Sequence, residues 1–371
     1  MNKSKVSIVR CESYDEETVY KAVKRGLDLI GGIGSIVKSD EKILLKVNNL
    51  AGEKPEKAVT THPSILNAMI RIMQEKNILV TYGDSPGFGK PKDTLAASGF
   101  TEVAERYGVR QGDFDDGKIM EFSQGIACKK FEIANACIEA DGIIILGKMK
   151  THMLTRVTGA VKNTFGCVQG LHKTGFHVKY PNPIEFSKML VDLNNLLKPR
   201  LFIMDGITAM EGNGPRGGTP VQMNCIILST DPVAVDSTFC RMIGLDPEYV
   251  PTNTFGKKTG LGTYNPNEIE YVGDPADWFI NKKFDVLRKH AAGNPFKSVM
   301  PAMMRNMLYK KPVIDPERCV KCGVCVNICP IEGKALSFND KKEPPVYNYS
   351  KCIRCYCCQE LCPNKAISLI K

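Results

Sequence analysis

Cys319-Val320-Lys321-Cys322-Gly323-Val324-Cys325-Val326-Asn327-Ile328-Cys329-Pro330 and Cys352-Ile353-Arg354-Cys355-Tyr356-Cys357-Cys358-Gln359-Glu360-Leu361-Cys362-Pro363 repeat one spacing, C-x2-C-x2-C-x3-C-P. That spacing holds a pair of 4Fe-4S clusters, the fourth cysteine of each run serving the cluster of the other. Three thiolates on a tight loop grip three irons of one cubane, and the fourth lies beyond a short helical turn. Cys319, Cys322, Cys325 and Cys362 are therefore assigned to one cluster, and Cys352, Cys355, Cys358 and Cys329 to the other. The proline after each run stops the chain from continuing as a helix. Cys357 breaks the repeat; it reads as a spare thiol, with replacement of Cys358 as ligand the other option.

Two other readings of these cysteines fit less well. A disulfide framework needs an oxidising compartment, and no signal peptide is expected here. Met1-Asn2-Lys3-Ser4-Lys5 runs into the strand-like Val6-Ser7-Ile8-Val9-Arg10 rather than a long apolar core. Zinc knuckles use paired C-x2-C units and call for neither a third cysteine three residues on nor a fourth before proline. Cys11, Cys128, Cys137, Cys167, Cys225 and Cys240 are scattered, which suits reduced, mostly buried thiols in a cytoplasmic protein.

A chain of 371 residues, 43% hydrophobic, has room for one large domain with a sizeable core plus a small module. No stretch approaches the roughly 20 apolar residues that span a bilayer, so no transmembrane segment is expected. The net charge of +10 is dispersed rather than gathered into basic runs, so no nucleic-acid partner is expected. Residues 314–371 hold nine Lys/Arg against six Asp/Glu, a formal +3 that partly offsets the anionic charge of thiolate-bound clusters.

Residues 314–371 are also an internal repeat. Ile314-Asp315-Pro316-Glu317-Arg318-Cys319 parallels Tyr347-Asn348-Tyr349-Ser350-Lys351-Cys352, and Lys334-Ala335-Leu336-Ser337 parallels Lys365-Ala366-Ile367-Ser368. Each half reads as strand, cluster loop, short helix, strand, predicting a small α+β ferredoxin-like two-cluster module. So short a segment buries little apolar surface, so metal binding must supply much of its folding free energy.

Upstream, strand-like runs at 6–10, 43–47, 78–82, 142–146, 201–204 and 225–229 alternate with amphipathic stretches at 16–30, 63–74, 94–107, 183–197 and 232–243. The alternation predicts an α/β large domain with a mainly parallel sheet over residues 1–273. Pro63 after Thr61-His62, and Asp231 before Pro232, mark two helix starts. Residues 274–313, with Pro295, Pro301 and Pro312 among Met300, Met303, Met304 and Met307, read as a connector helix packed on the large domain. A partner-docking or membrane-surface segment is the weaker reading, since Arg305, Lys310 and Lys311 are few.

In an α/β sheet, ligands bind where strands end in loops. The polar loops here are Thr60-Thr61-His62-Pro63, Gly83-Asp84-Ser85-Pro86-Gly87-Phe88-Gly89, and Lys148-Met149-Lys150-Thr151-His152 followed by Val161-Lys162-Asn163-Thr164-Phe165-Gly166. Asp205-Gly206-Ile207 running to Glu211-Gly212-Asn213-Gly214-Pro215-Arg216-Gly217-Gly218, and Asp231-Pro232-Val233-Ala234-Val235-Asp236, complete the set. In this order the motifs resemble the domain-of-unknown-function-362 family over residues 5–250. The resemblance implies a C-terminal ferredoxin module, which members often carry, and leaves the activity open.

Lys148, Lys150, His152, Lys162 and Arg216 would bring cationic donors to one sheet edge, suited to a small anionic substrate such as a carboxylate or phosphate. Asp84, Asp205, Glu211, Asp231 and Asp236 could hold a hard cation or act in acid–base steps, although Asp231 also reads as a helix cap and Asp205-Gly206 as a turn. Lys150, His152 and Asp84 are the candidate catalytic residues. His172 and His177 flank a Gly-rich loop with no ligand set nearby, so zinc is not expected there. Gly212-x4-Gly217-Gly218-Thr219 has glycine where a phosphate loop needs lysine, and Gly31-Gly32-Ile33-Gly34 lacks the third glycine of a dinucleotide fingerprint. A flavin stays open, since flavin sites often lack a compact signature, and C-x-x-C-H haem attachment is absent.

Two functions follow. In one, the chain is an oxidoreductase relaying electrons from a soluble donor protein to a substrate site on the large domain, where Lys150 and His152 orient or protonate the substrate. In the other, it is a non-catalytic ferredoxin-type carrier or accessory factor whose large domain docks a redox partner.

Overall fold

Ile43 and Leu45 face one side of a central sheet and Leu44 the other, as alternation along a strand requires. Ile144 and Leu146 against Ile143 and Ile145 repeat the pattern on the neighbouring strand. A sheet apolar on both faces must be covered twice. The structure, a computed structural model, describes residues 3–170, 172–291 and 300–370.

The strands of the large domain are β1 (Ser4–Arg10), β2 (Lys42–Lys46), β3 (Leu79–Gly83), β4 (Arg110–Gln111), β5 (Gly117–Glu121), β6 (Lys130–Ala134), β7 (Gly142–His152), β8 (Arg156–Thr158), β9 (Leu201–Glu211), β10 (Thr219–Ser229) and β11 (Ile269–Gly273). Its α-helices are α1 (Glu16–Leu29), α2 (Pro63–Gln74), α3 (Pro91–Ala97), α4 (Phe100–Arg106), α5 (Asn135–Ile138), α6 (His172–Lys179), α7 (Pro183–Leu197), α8 (Pro232–Met242) and α9 (Pro251–Thr259). The sheet order is β11-β1-β10-β9-β7-β2-β3-β4, with β8 folded back on β7. Its pairings are parallel except where β10 meets β1 and β9 and where β8 meets β7. α1, α2 and α4 cover one face through Val23, Met69 and Phe100; α7 and α8 cover the other through Leu190 and Val235. The result is a mixed, mostly parallel sheet with helices around it.

Several expectations need correction. Residues 94–107 form two helices rather than one, because Gly99 takes a left-handed φ of 81° between α3 and α4. Lys148–His152 and Asp205–Glu211 are not loops: β7 and β9 continue through them, and the hairpins to β8 and β10 satisfy their backbones. The stretch read as a Gly-rich loop around His177 is helix α6, and the side chain of His172 lies outside the described residues. β11 went unpredicted because most of its residues are exposed or half-exposed and it shows no apolar run.

The tail contains β12 (Lys311–Ile314), β13 (Leu336–Ser337), β14 (Val346–Tyr347) and β15 (Ile367–Ile370), pairing as β12–β15 and β13–β14. Preceding it is α10 (Ala302–Leu308), and within it are α11 (Val324–Asn327) and α12 (Cys357–Glu360). The repeat extends to the backbone. Lys321 and Arg354, Gly323 and Tyr356, and Lys334 and Lys365 all have positive φ at matching positions. Tyr356 does without glycine what Gly323 does with it, at a cost of about 1 kcal/mol. In α10, buried Arg305 donates to Ser350 O at 2.7 Å and Asn306 accepts from Arg354. These contacts bind α10 to the tail, while the earlier part of the connector packs on the large domain through Phe279, Phe284 and Val286; Met303 and Met307 stay exposed. Pro295 lies outside the described residues.

Candidate functional site

Each set of four cysteines closes on its own cavity. Cys319, Cys322, Cys325 and Cys362 line one; Cys329, Cys352, Cys355 and Cys358 line another. The last cysteine of each run therefore sits with the first three of the other. Ala335 N–H donates to Cys329 Sγ and Ala366 N–H to Cys362 Sγ, both at 3.3 Å, and the Tyr347 hydroxyl donates to Cys358 Sγ at 3.2 Å. Donors of this kind stabilise charge on sulfur and orient it. Cys322 is exposed, whereas all four cysteines of the second set are buried. Among the described residues no three His, Cys, Asp or Glu converge as they would about a single ion. The sulfurs surround a space instead of a point.

A further cavity of about 70 Å³, partly open to solvent, lies between α12 and the carboxyl ends of β2, β3 and β7. Lys46 closes β2, Asp84 and Ser85 follow β3, and His152 ends β7. Lys162 and Asn163 come from the tight 3-10 turn Val161–Cys167, and Lys173 and His177 from α6. Cys357, Glu360 and Leu361 supply the tail's side of the wall.

Its floor is a buried ion pair. Lys46 Nζ lies 3.0 Å from Asp84 Oδ1, in an ion pair without hydrogen-bond alignment, and donates to Asn163 O at 2.5 Å and Asn163 Oδ1 at 2.9 Å. Asn49 N–H donates to Asp84 Oδ2 at 2.6 Å. Gly166 must be glycine here, since a Cβ would stand 1.9 Å from Asp84 Oδ1 and 2.5 Å from Lys46 Nζ. Lys173 donates to Ser85 O at 2.8 Å, to Ser85 Oγ and to Val168 O at 3.0 Å, while burial lowers its pKa to about 7 against the pull of Asp84.

His152 Nδ1 accepts from the N–H groups of Leu154 (3.1 Å) and Thr155 (3.4 Å). The ring proton of the neutral imidazole therefore sits on Nε2, 3.5 Å from Glu360 Oε1. Burial, with Lys162 nearby, holds His152 well below its ordinary value, so the ring is neutral. Burial also pushes Glu360 up to about 8, against the attraction of Lys162. Burial lowers Lys162 in turn, and Glu360 opposes that shift. Lys162 itself is half-buried and makes no hydrogen bond or close ion pair among the described residues.

The sequence candidates thus divide. Asp84, His152, Lys162 and Asn163 meet at the cavity. Lys150 does not line it: its fully buried ammonium donates to Val59 O at 2.6 Å. Lys148 lies elsewhere, 2.9 Å from Asp205 Oδ2 and donating to the Tyr14 hydroxyl at 2.8 Å, with Tyr14 stacked on His62 at 3.8 Å. Asp231 caps α8, accepting from Ala234 N–H at 2.8 Å, and Asp236 accepts from the N–H groups of Ala160 and Val161. Glu211 accepts from Asp285 N–H. Arg216 docks the tail, donating from Nε to Glu53 Oε1 at 2.7 Å and from its guanidinium to Leu361 O. Gln359 donates to Asn213 Oδ1 at 2.7 Å and Lys365 to Gly218 O at 2.8 Å, so the glycine-rich β9–β10 loop anchors the cysteine module. Lys46, Lys173 and Glu360 were missed. A lysine inside the apolar run Ile43-Leu44-Leu45-Lys46-Val47 was a readable signal; Lys173 carried none.

Residues 43–241, which contain every cavity residue contributed by the large domain beyond the tail, match the profile of a domain of unknown function, DUF362. The chain belongs to that family. The tail of this DUF362 protein, residues 311–363, matches a 4Fe-4S dicluster domain, which supports iron–sulfur electron transfer. A thylakoid-associated protein of Synechocystis sp. is 31% identical over 266 residues, spanning 71% of this chain and 81% of its own. Among solved structures, the lactate racemase apoprotein from Thermoanaerobacterium thermosaccharolyticum is similar at TM-score 0.44 and 13% identity, covering 65% of this chain and 57% of that one. A Thermotoga maritima protein is similar at TM-score 0.36 and 12% identity, covering 63% and 58%. The chain spans less than two thirds of either solved structure. Among the described residues, no helix is long and apolar enough to cross a membrane.

Proposed function

We propose that this chain is an oxidoreductase that takes electrons from a soluble donor protein and delivers them to a small anionic substrate in the cavity facing α12. One observation carries the reading: Cys357, Glu360 and Leu361 of the cysteine module share that cavity's wall with Asp84, His152 and Lys162. Cys319, Cys322, Cys325 and Cys362 would hold one 4Fe-4S cluster, and Cys352, Cys355, Cys358 and Cys329 the second. The residues fit such a group, with four sulfurs around each cavity and N–H or O–H donors on three of them. Bound there, the clusters would supply one-electron transfer.

The chain's own residues do the rest. Arg216, Gln359 and Lys365 hold the tail against the large domain, which completes the shared wall of the cavity. The Lys46–Asp84 pair and Lys173 fix the floor, and Lys162 faces the substrate as a cation. His152 holds a proton on Nε2 at the boundary between the cavity and Glu360.

Anaerobic purification with iron and sulfide counts, EPR and mass spectrometry of co-purifying small molecules tests the reading. About eight irons per chain are expected. The co-purified molecule, or its oxidised form, should reoxidise the reduced protein in a single turnover that Cys355→Ser abolishes. Colourless, zinc-loaded protein would overturn the proposal, and so would reduced protein that discharges only to another protein.

A further inference from the structure

Of the lysines that line the cavity, two are committed. Lys46 is spent on Asp84 and Asn163, and Lys173 on Ser85 and Val168. Lys162 alone among them donates to no described residue, although most of its surface is removed from water. A cation so placed is costly until an anion meets it. Three further lining residues carry buried polar atoms without partners: Asn48 Oδ1, Asn49 Nδ2 and His177 Nδ1, on side chains 7%, 1% and 8% exposed.

The same cavity has an apolar side, formed by Leu50, Phe165, Ile328 and Leu361. The Lys46–Asp84 pair cancels its own charge and Lys173 is held by Ser85 and Val168, so no second free cation stands beside Lys162 to meet a second negative charge on the ligand. One uncommitted ammonium and an apolar wall select a single carboxylate over a phosphate dianion. Resting on the reading of this cavity as the substrate site, we infer that Lys162 anchors a small monocarboxylate whose apolar body lies against Leu50, Phe165, Ile328 and Leu361. Lys162 is then the specificity-determining residue, and the lysine singled out from sequence, Lys150, is its buried neighbour.

Anaerobic titration calorimetry of the cluster-loaded full chain tests this with benzoate, uncharged benzamide and inorganic phosphate. Benzoate should bind once per chain, at least tenfold tighter than either benzamide or phosphate. Lys162→Met should weaken benzoate at least tenfold with the visible cluster spectrum unchanged, and Lys162→Arg should recover part of the loss. Lys188→Met, at a lysine paired with Glu185 outside the cavity, should bind as wild type does. Equal binding of benzoate and benzamide, tighter binding of phosphate, absence of binding, or a Lys162→Met protein that binds normally would each overturn the inference. Should Lys162→Met fail to fold, the benzoate–benzamide contrast on the wild-type chain decides. Calorimetry reads no electron transfer. Benzoate held by Lys162 in a protein that discharges only to a partner would end the oxidoreductase reading and keep the anchor; turnover of an uncharged molecule would do the reverse.

Discussion

Replacing Lys46 by methionine removes the ammonium that sits 3.0 Å from Asp84 Oδ1 and donates to Asn163 at 2.5 and 2.9 Å. The two side chains are 1% and 3% exposed, so water cannot take its place. Removing one member of a buried pair strands the other charge and costs about 3–5 kcal/mol. Methionine keeps a similar unbranched length, so little is added for an empty cavity. Asp84 retains the Asn49 N–H at 2.6 Å, which places the expected loss near the lower end, about 3 kcal/mol. Removing both charges, as Lys46→Met with Asp84→Asn, should cost less than the sum of the single changes, with a coupling of about 2 kcal/mol. Urea unfolding of anaerobic, cluster-loaded protein, followed by far-UV circular dichroism, measures all four corners of this cycle. A Lys46→Met protein within about 0.5 kcal/mol of wild type, or additive single changes, would refute the idea that this pair holds the floor.

Crossed ligation predicts that Cys362→Ser removes the same EPR signal as Cys319→Ser, and Cys329→Ser the same as Cys355→Ser, each leaving about four irons; signals lost run by run would reject it. Lys173 titrates near 7 in the fold against 10.5 for an ordinary lysine, so between those values the unfolded chain binds more protons and the stability contribution of this residue rises with pH. Wild type should therefore gain stability relative to Lys173→Met from about pH 7 to about pH 10 in chemical denaturation, and a constant difference would refute the shift. Arg216→Ala breaks the link between Glu53 and Leu361, although Lys57 still meets Glu53 at 2.6 Å, and should cost about 2 kcal/mol of docking free energy. Faster amide exchange at 357–361 is the expected signature; unchanged exchange there would mean that Arg216 does not hold the tail.

Spacing along the chain was enough for a good part of this molecule. Three thiols on a loop and a fourth before proline are a local geometry, and the left-handed turns at Lys321, Gly323, Arg354 and Tyr356 repeat it residue for residue. The starts of α2 and α8 were legible because a cap and a first-turn proline act within four residues, and the mostly parallel sheet because apolar runs alternate with amphipathic ones. Which polar residues meet one another was not legible. Lys148, Lys150 and His152 share one face of β7 by strand alternation, yet each step of two residues advances about 6.6 Å. They therefore find Asp205, Val59 and Glu360 as separate partners. The cavity further depends on Glu360, some two hundred residues beyond His152 in the chain and carried to it only by the docking of the cysteine module through Arg216 and Gln359. Contacts of that range arise from packing between distant segments, and no spacing rule along a single chain encodes them.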